Sequence, residues 1–165
     1  MNPELEVKVE QSRQFLSFQL AGEEYAIDIL KVQEIRDSAI PTLIPNSPSY
    51  IEGVLNLRGE IIPVINLRNR IGLPTHSNPI NRIVIVLNIT SGSKSRLMGL
   101  LVDAFSETYD VPISAIKPAP AGISVIDDEF IIGLTTANDR MLILLDADAL
   151  LNSNELSLTI NQEIA

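Results

Sequence analysis

Residues 50–67, YIEGVLNLRGEIIPVINL, decide the fold. Two runs of mostly aliphatic residues flank Arg58-Gly59-Glu60, and a glycine at such a position supplies a positive φ without steric cost. The pattern therefore predicts a β-hairpin with Gly59 at its tip. Residues 130–145, FIIGLTTANDRMLILL, repeat the design 80 positions later, with Gly133-Leu134 in the place of Gly53-Val54. An internal repeat of this kind predicts two small barrel-like lobes rather than one large sheet.

Most of the remaining apolar residues also come in short runs closed by Gly, Pro, Asn or Asp, which favours strands over long helices. The strands expected from these runs are residues 15–20 paired with 25–27, and residues 82–89 paired with 97–102. Short helices are expected at residues 29–32, 48–51 and 147–151, the last with Asp146 as its N-cap. Residues 1–13 and 153–165 are predicted to be tails around one domain, residues 14–152, with its two lobes in roughly the first and second halves sharing a core.

Composition excludes several classes of function. The chain has 165 residues, a net charge of −9, one His and no Cys, so it has no disulfides, thiolate metal sites or cysteine nucleophile. The acidic balance argues against a nucleic-acid partner. No segment reaches the roughly 18 apolar residues that a membrane helix needs, and the N-terminus has no apolar signal region. A cytoplasmic protein without direct membrane insertion is therefore expected.

The charge is unevenly distributed along the chain. Residues 54–102 contain six Lys or Arg and one Glu, while the blocks on either side are acidic. This basic segment marks either a partner-facing surface or strands that neutralise acidic neighbours within the fold. Arg58 lies in it, and its guanidinium is suited to bidentate contact with a carboxylate or amide of a partner. The alternative is an ion pair with Glu34 or Glu60 of the same molecule.

Catalytic motifs are absent from the sequence. His76 lies in a proline-bounded loop, where a solvated role is expected. The carboxylates of residues 127–129, or those of Asp146 and Asp148, leave a metal-dependent hydrolase as a remote alternative. Three consecutive residues cannot all point inward from a strand, and calcium-loop spacing is missing, so a solvated turn is the preferred interpretation. The chain is therefore predicted to be no enzyme and to have no metal site and no cofactor.

Six motifs stand out along the chain: FxxFxLxxExYxIDI at residues 15–29, KVQEIR at 31–36, GVxNLRG at 53–59, GLLVD at 99–103, IKPAP at 116–120 and DRMLIL at 139–144. Their combination resembles the CheW family, the adaptor proteins of bacterial chemotaxis. The resemblance covers residues 14–152. It implies a mainly β fold of two intertwined five-stranded SH3-like barrels with a few short helices. Since the chain contains no kinase or receiver segment, it resembles the stand-alone adaptor.

The resemblance also implies a function. Members of the family are non-enzymatic adaptors that couple the cytoplasmic tips of transmembrane chemoreceptors, the methyl-accepting chemotaxis proteins, to the histidine kinase CheA. The regulatory domain of that kinase has the same fold, so the two are expected to pair barrel to barrel. The protein would be a monomer when free, cytoplasmic, and recruited to membrane-associated chemoreceptor arrays. Service in a related pathway, such as surface motility or second-messenger control, is the alternative.

Site residues follow from the resemblance position by position. Arg58 and Gly53 match family positions linked to receptor and kinase coupling, and Val32 and Glu34 match positions at the receptor-tip groove. Val32 would supply the dry centre, with Glu34 and Arg58 as an orienting polar rim. The alternative for Val32 is an ordinary core residue.

The kinase contact is predicted less directly. After the PAP sequence at residues 118–120 relatives can place an aromatic residue, whereas this chain continues with Ala121-Gly122-Ile123. A hydrophobic anchor for the kinase is therefore expected from Ile123, Val125 or Phe130.

Overall fold

The structure is a computed structural model, and it describes residues 11–37, 39–48, 50–66, 83–122 and 128–152. Within these ranges the chain forms ten strands and one α-helix. In chain order they are β1 (Ser12–Leu20), β2 (Glu23–Asp28), β3 (Val32–Asp37), β4 (Ile51–Leu57), β5 (Glu60–Asn66), β6 (Ile83–Ser91), β7 (Lys94–Val102), β8 (Ala104–Pro112), β9 (Ile131–Ala137), β10 (Arg140–Leu145) and α1 (Ala147–Leu151).

The strands form two five-stranded sheets of identical design. Sheet I has the order β3-β6-β7-β5-β4, and sheet II has the order β8-β1-β2-β10-β9. In each sheet a hairpin in the middle pairs antiparallel with one edge strand, and its other strand runs parallel to a strand of the second hairpin. The predicted mainly β fold with two five-stranded lobes and few helices is confirmed.

The two sheets exchange their central hairpins. Sheet II combines β1 and β2 from the first part of the chain with three strands from the second part, and sheet I combines β6 and β7 with three strands from the first part. The link is a 3₁₀ turn at Ile29–Lys31, which carries the chain from β2 in one sheet to β3 in the other. The lobes are therefore intertwined, as predicted, and neither sheet corresponds to one half of the chain.

The internal repeat is visible in the strand register. Gly53 lies opposite Val64 in the β4–β5 hairpin, and Gly133 lies opposite Leu144 in the β9–β10 hairpin, with a register shift just before each glycine. A short backbone bridge covers each hairpin near its glycine, from Thr42 to Val54 and from Lys117 to Leu134. The two hairpins thus share register, bulge and covering segment, which confirms the repeat predicted from the sequence.

Three hydrophobic cores are formed by the residues that the structure describes. The largest lies between the sheets and includes Phe18 of sheet II and Ile85 of sheet I. A smaller core packs against the other face of each sheet, around Leu144 in sheet II and Val86 in sheet I. Alternate side chains of β6 therefore enter two different cores, and every residue of that strand from Ile83 to Leu87 is buried. This confirms the strand buried on both faces that its β-branched sequence predicts.

The short elements agree with the sequence in part. Helix α1 forms where predicted, and the carboxylate of Asp146 caps it by accepting a hydrogen bond from the Ala149 amide at 3.1 Å. The helix predicted at residues 48–51 is wrong: the Ile51 amide bonds the Pro48 carbonyl in a single turn, and β4 begins at once. Strands β3 and β8, whose apolar residues are interrupted by charged ones, were not predicted from the sequence.

Candidate functional site

The hairpin of β4 and β5 ends in a two-residue turn, Arg58-Gly59, which we call turn I. Both residues have a positive φ, 51° for Arg58 and 89° for Gly59, as in the turns that match the twist of paired strands. The side-chain oxygen of Asn56 accepts a hydrogen bond from the Gly59 amide at 2.8 Å and holds the turn. A left-handed conformation costs a side-chain-bearing residue roughly 1 kcal/mol, so the backbone alone gives no reason for arginine here.

Arg58 pairs with Glu34 across the edges of sheet I. The guanidinium Nη2 donates to the carboxylate Oε1 of Glu34 at 2.8 Å. The Glu34 side chain is 26% exposed, whereas that of Arg58 is 71% exposed. An ion pair this open contributes at most about 1 kcal/mol to folding. Of the two alternatives drawn from the sequence, the intramolecular pair with Glu34 exists, yet most of the guanidinium is still accessible to a partner.

Arg36 is a third member of this site, which sequence reasoning missed. Its Nε lies 3.5 Å from the second carboxylate oxygen of Glu34, so one carboxylate faces two guanidinium groups. The signal was available, since residues two apart on a strand point to the same face and Glu34 and Arg36 both belong to β3. Arg36 also lines an open cleft of about 190 Å³ between edge strands β3 and β4.

Val32 does not share a face with Glu34. The β3–β6 register shifts between them, so that Val32 lies opposite Leu87 and Glu34 opposite Val86, neighbouring residues that point to opposite sides of the sheet. Val32 accordingly packs, half-buried, against the core between the sheets. Leu30, two residues earlier in the 3₁₀ turn, is 87% exposed and places a large apolar side chain on the surface at this end of β3.

The packing around Gly53 explains why this position is a glycine. The residue is buried in β4 with φ at 151°, and an added Cβ would clash with the carbonyl oxygen of Thr42. Gly133 is equally constrained, because a Cβ there would lie 2.6 Å from the carbonyl oxygen of Lys117. Both glycines allow the covering segment to approach its hairpin. The assignment of Gly53 to the receptor site stays a prediction, and any effect it has there acts through the backbone.

The predicted kinase anchors are mostly outside the described residues, since Ile123 and Val125 both lie in the gap between residues 122 and 128. Phe130 is described, and it is buried in the core between the sheets, beside helix α1. Its ring is therefore not available as a surface anchor. Sequence alone does not reveal this burial, because an aromatic residue before a strand can equally face a core or the surface.

The carboxylates that suggested a metal site are not brought together where the structure describes them. Among the described residues no group of three or more His, Cys, Asp or Glu side chains could hold a metal ion. Asp128 and Glu129 are exposed in a 3₁₀ turn, and the side chain of Asp146 caps α1. His76 and Asp127 lie outside the described residues.

Asp148, the last candidate ligand, is part of a clamp between sheet I and helix α1. Its carboxylate contacts the ammonium of Lys31 at 2.6 Å and accepts hydrogen bonds from the amide and hydroxyl of Thr90. Burial alone would raise the pKa of this carboxyl group, but the hydrogen bonds and charge of Lys31 and the bonds from Thr90 outweigh it and lower the pKa. The carboxylate is thus already engaged in holding the helix.

The described helix is far too short to cross a membrane, and no other helix in the described ranges has the length and apolar character to do so.

Comparisons with known proteins agree with one another. The family model of the CheW-like domain matches residues 14–155. The chain is 43% identical over 149 residues to the chemotaxis protein CheW of Klebsiella aerogenes, an alignment that covers 90% of this chain and 87% of that protein. It is 32% identical over 143 residues to a probable chemotaxis protein CheW of Rhizobium etli, covering 87% and 90% of the two chains. The crystal structure of the scaffolding protein TtCheW from Thermoanaerobacter tengcongensis superposes with a TM-score of 0.77 at 33% identity, over 87% of this chain and 95% of that one.

Proposed function

The chain belongs to the CheW-like family, and from that premise we propose that it is a non-enzymatic chemotaxis adaptor that couples the cytoplasmic tips of chemoreceptors to the histidine kinase CheA. Its relatives bear the names of chemotaxis proteins, and the matching solved structure is that of a scaffolding protein. In this proposal the protein is a cytoplasmic monomer when free and joins membrane-associated receptor arrays through its two partners.

The observation that carries the proposal is Arg58. It occupies a left-handed turn position that disfavours a side chain of its type, and it keeps a largely exposed guanidinium that Glu34 orients from one side. A group held in this way is prepared for a polar contact with a second protein, because its direction is fixed before binding while most of its donors are still solvated. The exposed Leu30 supplies an apolar contact at the other end of β3.

An adaptor of this kind needs no titratable centre. Two docking surfaces, each of modest affinity, place receptor and kinase at a high effective concentration, and the complex shifts the kinase between its two activity states. The receptor contact is assigned to the surface around Glu34 and Arg58. For the kinase contact, Ile123 and Val125 are the remaining candidates.

The test of this proposal is the substitution Arg58→Glu. We expect it to preserve folding, because Arg58 lies at an exposed turn, and to abolish co-sedimentation with receptor-containing membranes and receptor-dependent control of CheA. The introduced carboxylate would be repelled by Glu34, and it could not make the contact that the guanidinium makes with the partner. Lys94→Glu, at the exposed start of β7, is the matched charge reversal and should bind normally. Unaltered co-sedimentation and kinase control by Arg58→Glu would refute the assignment.

A further inference from the structure

The 3₁₀ turn at Ile29–Lys31, which we call the crossover turn, carries an exposed apolar side chain. Leu30 is the most exposed large hydrophobic residue in the described part of the chain. No residue of the turn is buried, and only Ile29 packs, half-buried, against the core between the sheets. A turn of three residues is marginal on its own, so its conformation depends on the polar contacts at its two ends.

The start of the crossover turn is fixed to sheet II. The carboxylate Oδ1 of Asp28, the last residue of β2, accepts a hydrogen bond from the Leu30 amide at 2.9 Å. Its Oδ2 pairs with the guanidinium of Arg13 in β1 at 2.8 Å. That guanidinium also lies over the Phe15 ring, 5.0 Å from the ring centre. The Asp28 side chain is largely buried, so these contacts rather than solvent set its direction.

The end of the crossover turn is fixed to sheet I and to helix α1. The Lys31 ammonium contacts the Asp148 carboxylate of α1 at 2.6 Å and donates to the Thr90 hydroxyl of β6 at 3.2 Å. Thr90 in turn donates to the same carboxylate, and its carbonyl accepts from the Asn152 side chain at 2.6 Å. Although burial alone would raise the pKa of Asp148, the bonds from Lys31 and Thr90 lower it, so this carboxylate is charged at neutral pH.

Leu30 therefore lies between two ion pairs, one at each end of a three-residue turn. A single exposed leucine is ordinary on a protein surface, but here the backbone that carries it is fixed from both sides. Less conformational entropy then has to be lost when the side chain docks. The turn leads directly into β3, which contains Glu34, so the apolar and polar contacts proposed for the receptor belong to one continuous segment.

We propose that Asp148 is a positioning residue for receptor docking: through Lys31 it holds the crossover turn, so that Leu30 enters an apolar site on the receptor tip while Arg58 makes its polar contact. The inference rests on the proposed function, since it takes the receptor tip to be the partner. Asp148 itself does not touch the receptor. Its ion pair raises the fraction of molecules in which Leu30 is correctly placed before binding.

The test measures binding of a soluble chemoreceptor cytoplasmic fragment to the full chain by isothermal titration calorimetry. Leu30→Ala should weaken binding about 10-fold, as expected for the loss of an apolar anchor. Asp148→Asn keeps the side-chain shape and should weaken binding about 3-fold, because the turn would be ready to dock in only about a third of the molecules. Lys31→Met removes the same ion pair from the other side and should have the same effect. Asp139→Asn, at an exposed carboxylate between β9 and β10, is the matched control and should bind as the unaltered chain does.

A double-mutant cycle separates positioning from a general effect on stability. If Asp148 acts through Leu30, Asp148→Asn should leave the affinity unchanged in the Leu30→Ala background, while it lowers the thermal unfolding midpoint equally in both backgrounds. A general loss of stability would instead weaken binding by the same factor in both. Urea unfolding gives the folded fraction of each variant, and affinities are compared at a temperature where every variant is folded.

The outcomes distinguish this inference from the proposed function. An equal loss of affinity from Asp148→Asn in both backgrounds, or no loss when Leu30 is present, would overturn the positioning role. If Leu30→Ala binds normally while Arg58→Glu abolishes binding, the receptor docks without the crossover turn and only this inference fails. Normal binding by Arg58→Glu would remove the proposed function and this inference together.

Discussion

The two hairpin turns, turn I at Arg58-Gly59 and turn II at Asn138-Asp139, share a backbone and differ in their side chains. In turn II both residues also have a positive φ, 52° for Asn138 and 62° for Asp139. Asn and Asp tolerate this conformation well, whereas arginine does not. Turn II therefore has the residues that its backbone prefers, and turn I has a residue that its backbone disfavours.

The arginine near each turn has a different partner environment. Arg140, directly after turn II, contacts Glu24 at 3.0 Å, and the Glu24 side chain is only 8% exposed. Arg58 contacts the more exposed Glu34 at a similar distance. Removing Arg140 would break an ion pair with a buried carboxyl group, while removing Arg58 would leave a carboxylate that water and Arg36 can still reach. The arginine at turn II therefore stabilises the fold through a buried carboxyl group, whereas the arginine at turn I is available for docking.

The likeness between the hairpins is tested by their buried glycines. Gly53→Ala should lower the free energy of unfolding by about 3 kcal/mol, because the new Cβ meets the Thr42 carbonyl and the backbone conformation is unfavourable for alanine. Gly133→Ala should have an effect of the same order through Lys117. Urea unfolding measures both.

Gly92→Ala is the matched control for these glycine substitutions. Gly92 also has a positive φ, but nothing lies within 4 Å of the position of its Cβ. Its substitution should cost only about 1 kcal/mol, the backbone part of the effect. Equal losses of unfolding free energy at positions 53 and 92 would mean that the covering segment does not constrain the hairpin. The structural likeness would then no longer explain the repeat.

The difference between the turns is tested by their arginines. Arg140→Ala should lower the free energy of unfolding by about 2 kcal/mol, less than for a fully buried pair because Arg140 itself is 63% exposed. Arg58→Ala should change it by no more than about 0.5 kcal/mol. Receptor co-sedimentation should show the reverse order, with Arg58→Ala impaired and Arg140→Ala retained. If the same variant were the more impaired one in both unfolding and co-sedimentation, the division of roles would be contradicted.

The sequence carries the local design of both hairpins but not their exchange between sheets. Glycine placement and aliphatic runs define each hairpin, and the 80-residue repeat relates the two. The pairing of β2 with β10 depends on which sheet contains the β1–β2 hairpin that precedes the Ile29–Lys31 turn, and no local pattern records that choice. Edge strand β3, in which three of the six residues are charged, is equally hard to distinguish from a loop.

The candidate site was predictable where it depends on single residues and unpredictable where it depends on register. Arg58 and Glu34 were found because their residue types and the family motif single them out. Val32 was assigned to the same groove because it matches a family position, and the bulge in β3 places it on the opposite face from Glu34. Phe130 was read as a surface anchor because hydrophobicity does not reveal which core a side chain enters, and the core between two intertwined sheets is not visible in one dimension.

The smallest predicted effect isolates the backbone cost at turn I. Arg58→Asn and Arg58→Ala both remove the ion pair with Glu34, so the difference between them reports only how well each residue adopts a φ near 51°. The asparagine variant, which gives turn I a residue of turn II, should be more stable than the alanine variant by about 0.5–1 kcal/mol in urea unfolding. Both should lose receptor co-sedimentation, because neither has the guanidinium.

A more stable adaptor that no longer docks would show that turn I keeps its arginine for binding and at the expense of folding. Equal stability of the two variants would mean that the turn is unstrained, and the argument from turn geometry to function would fail.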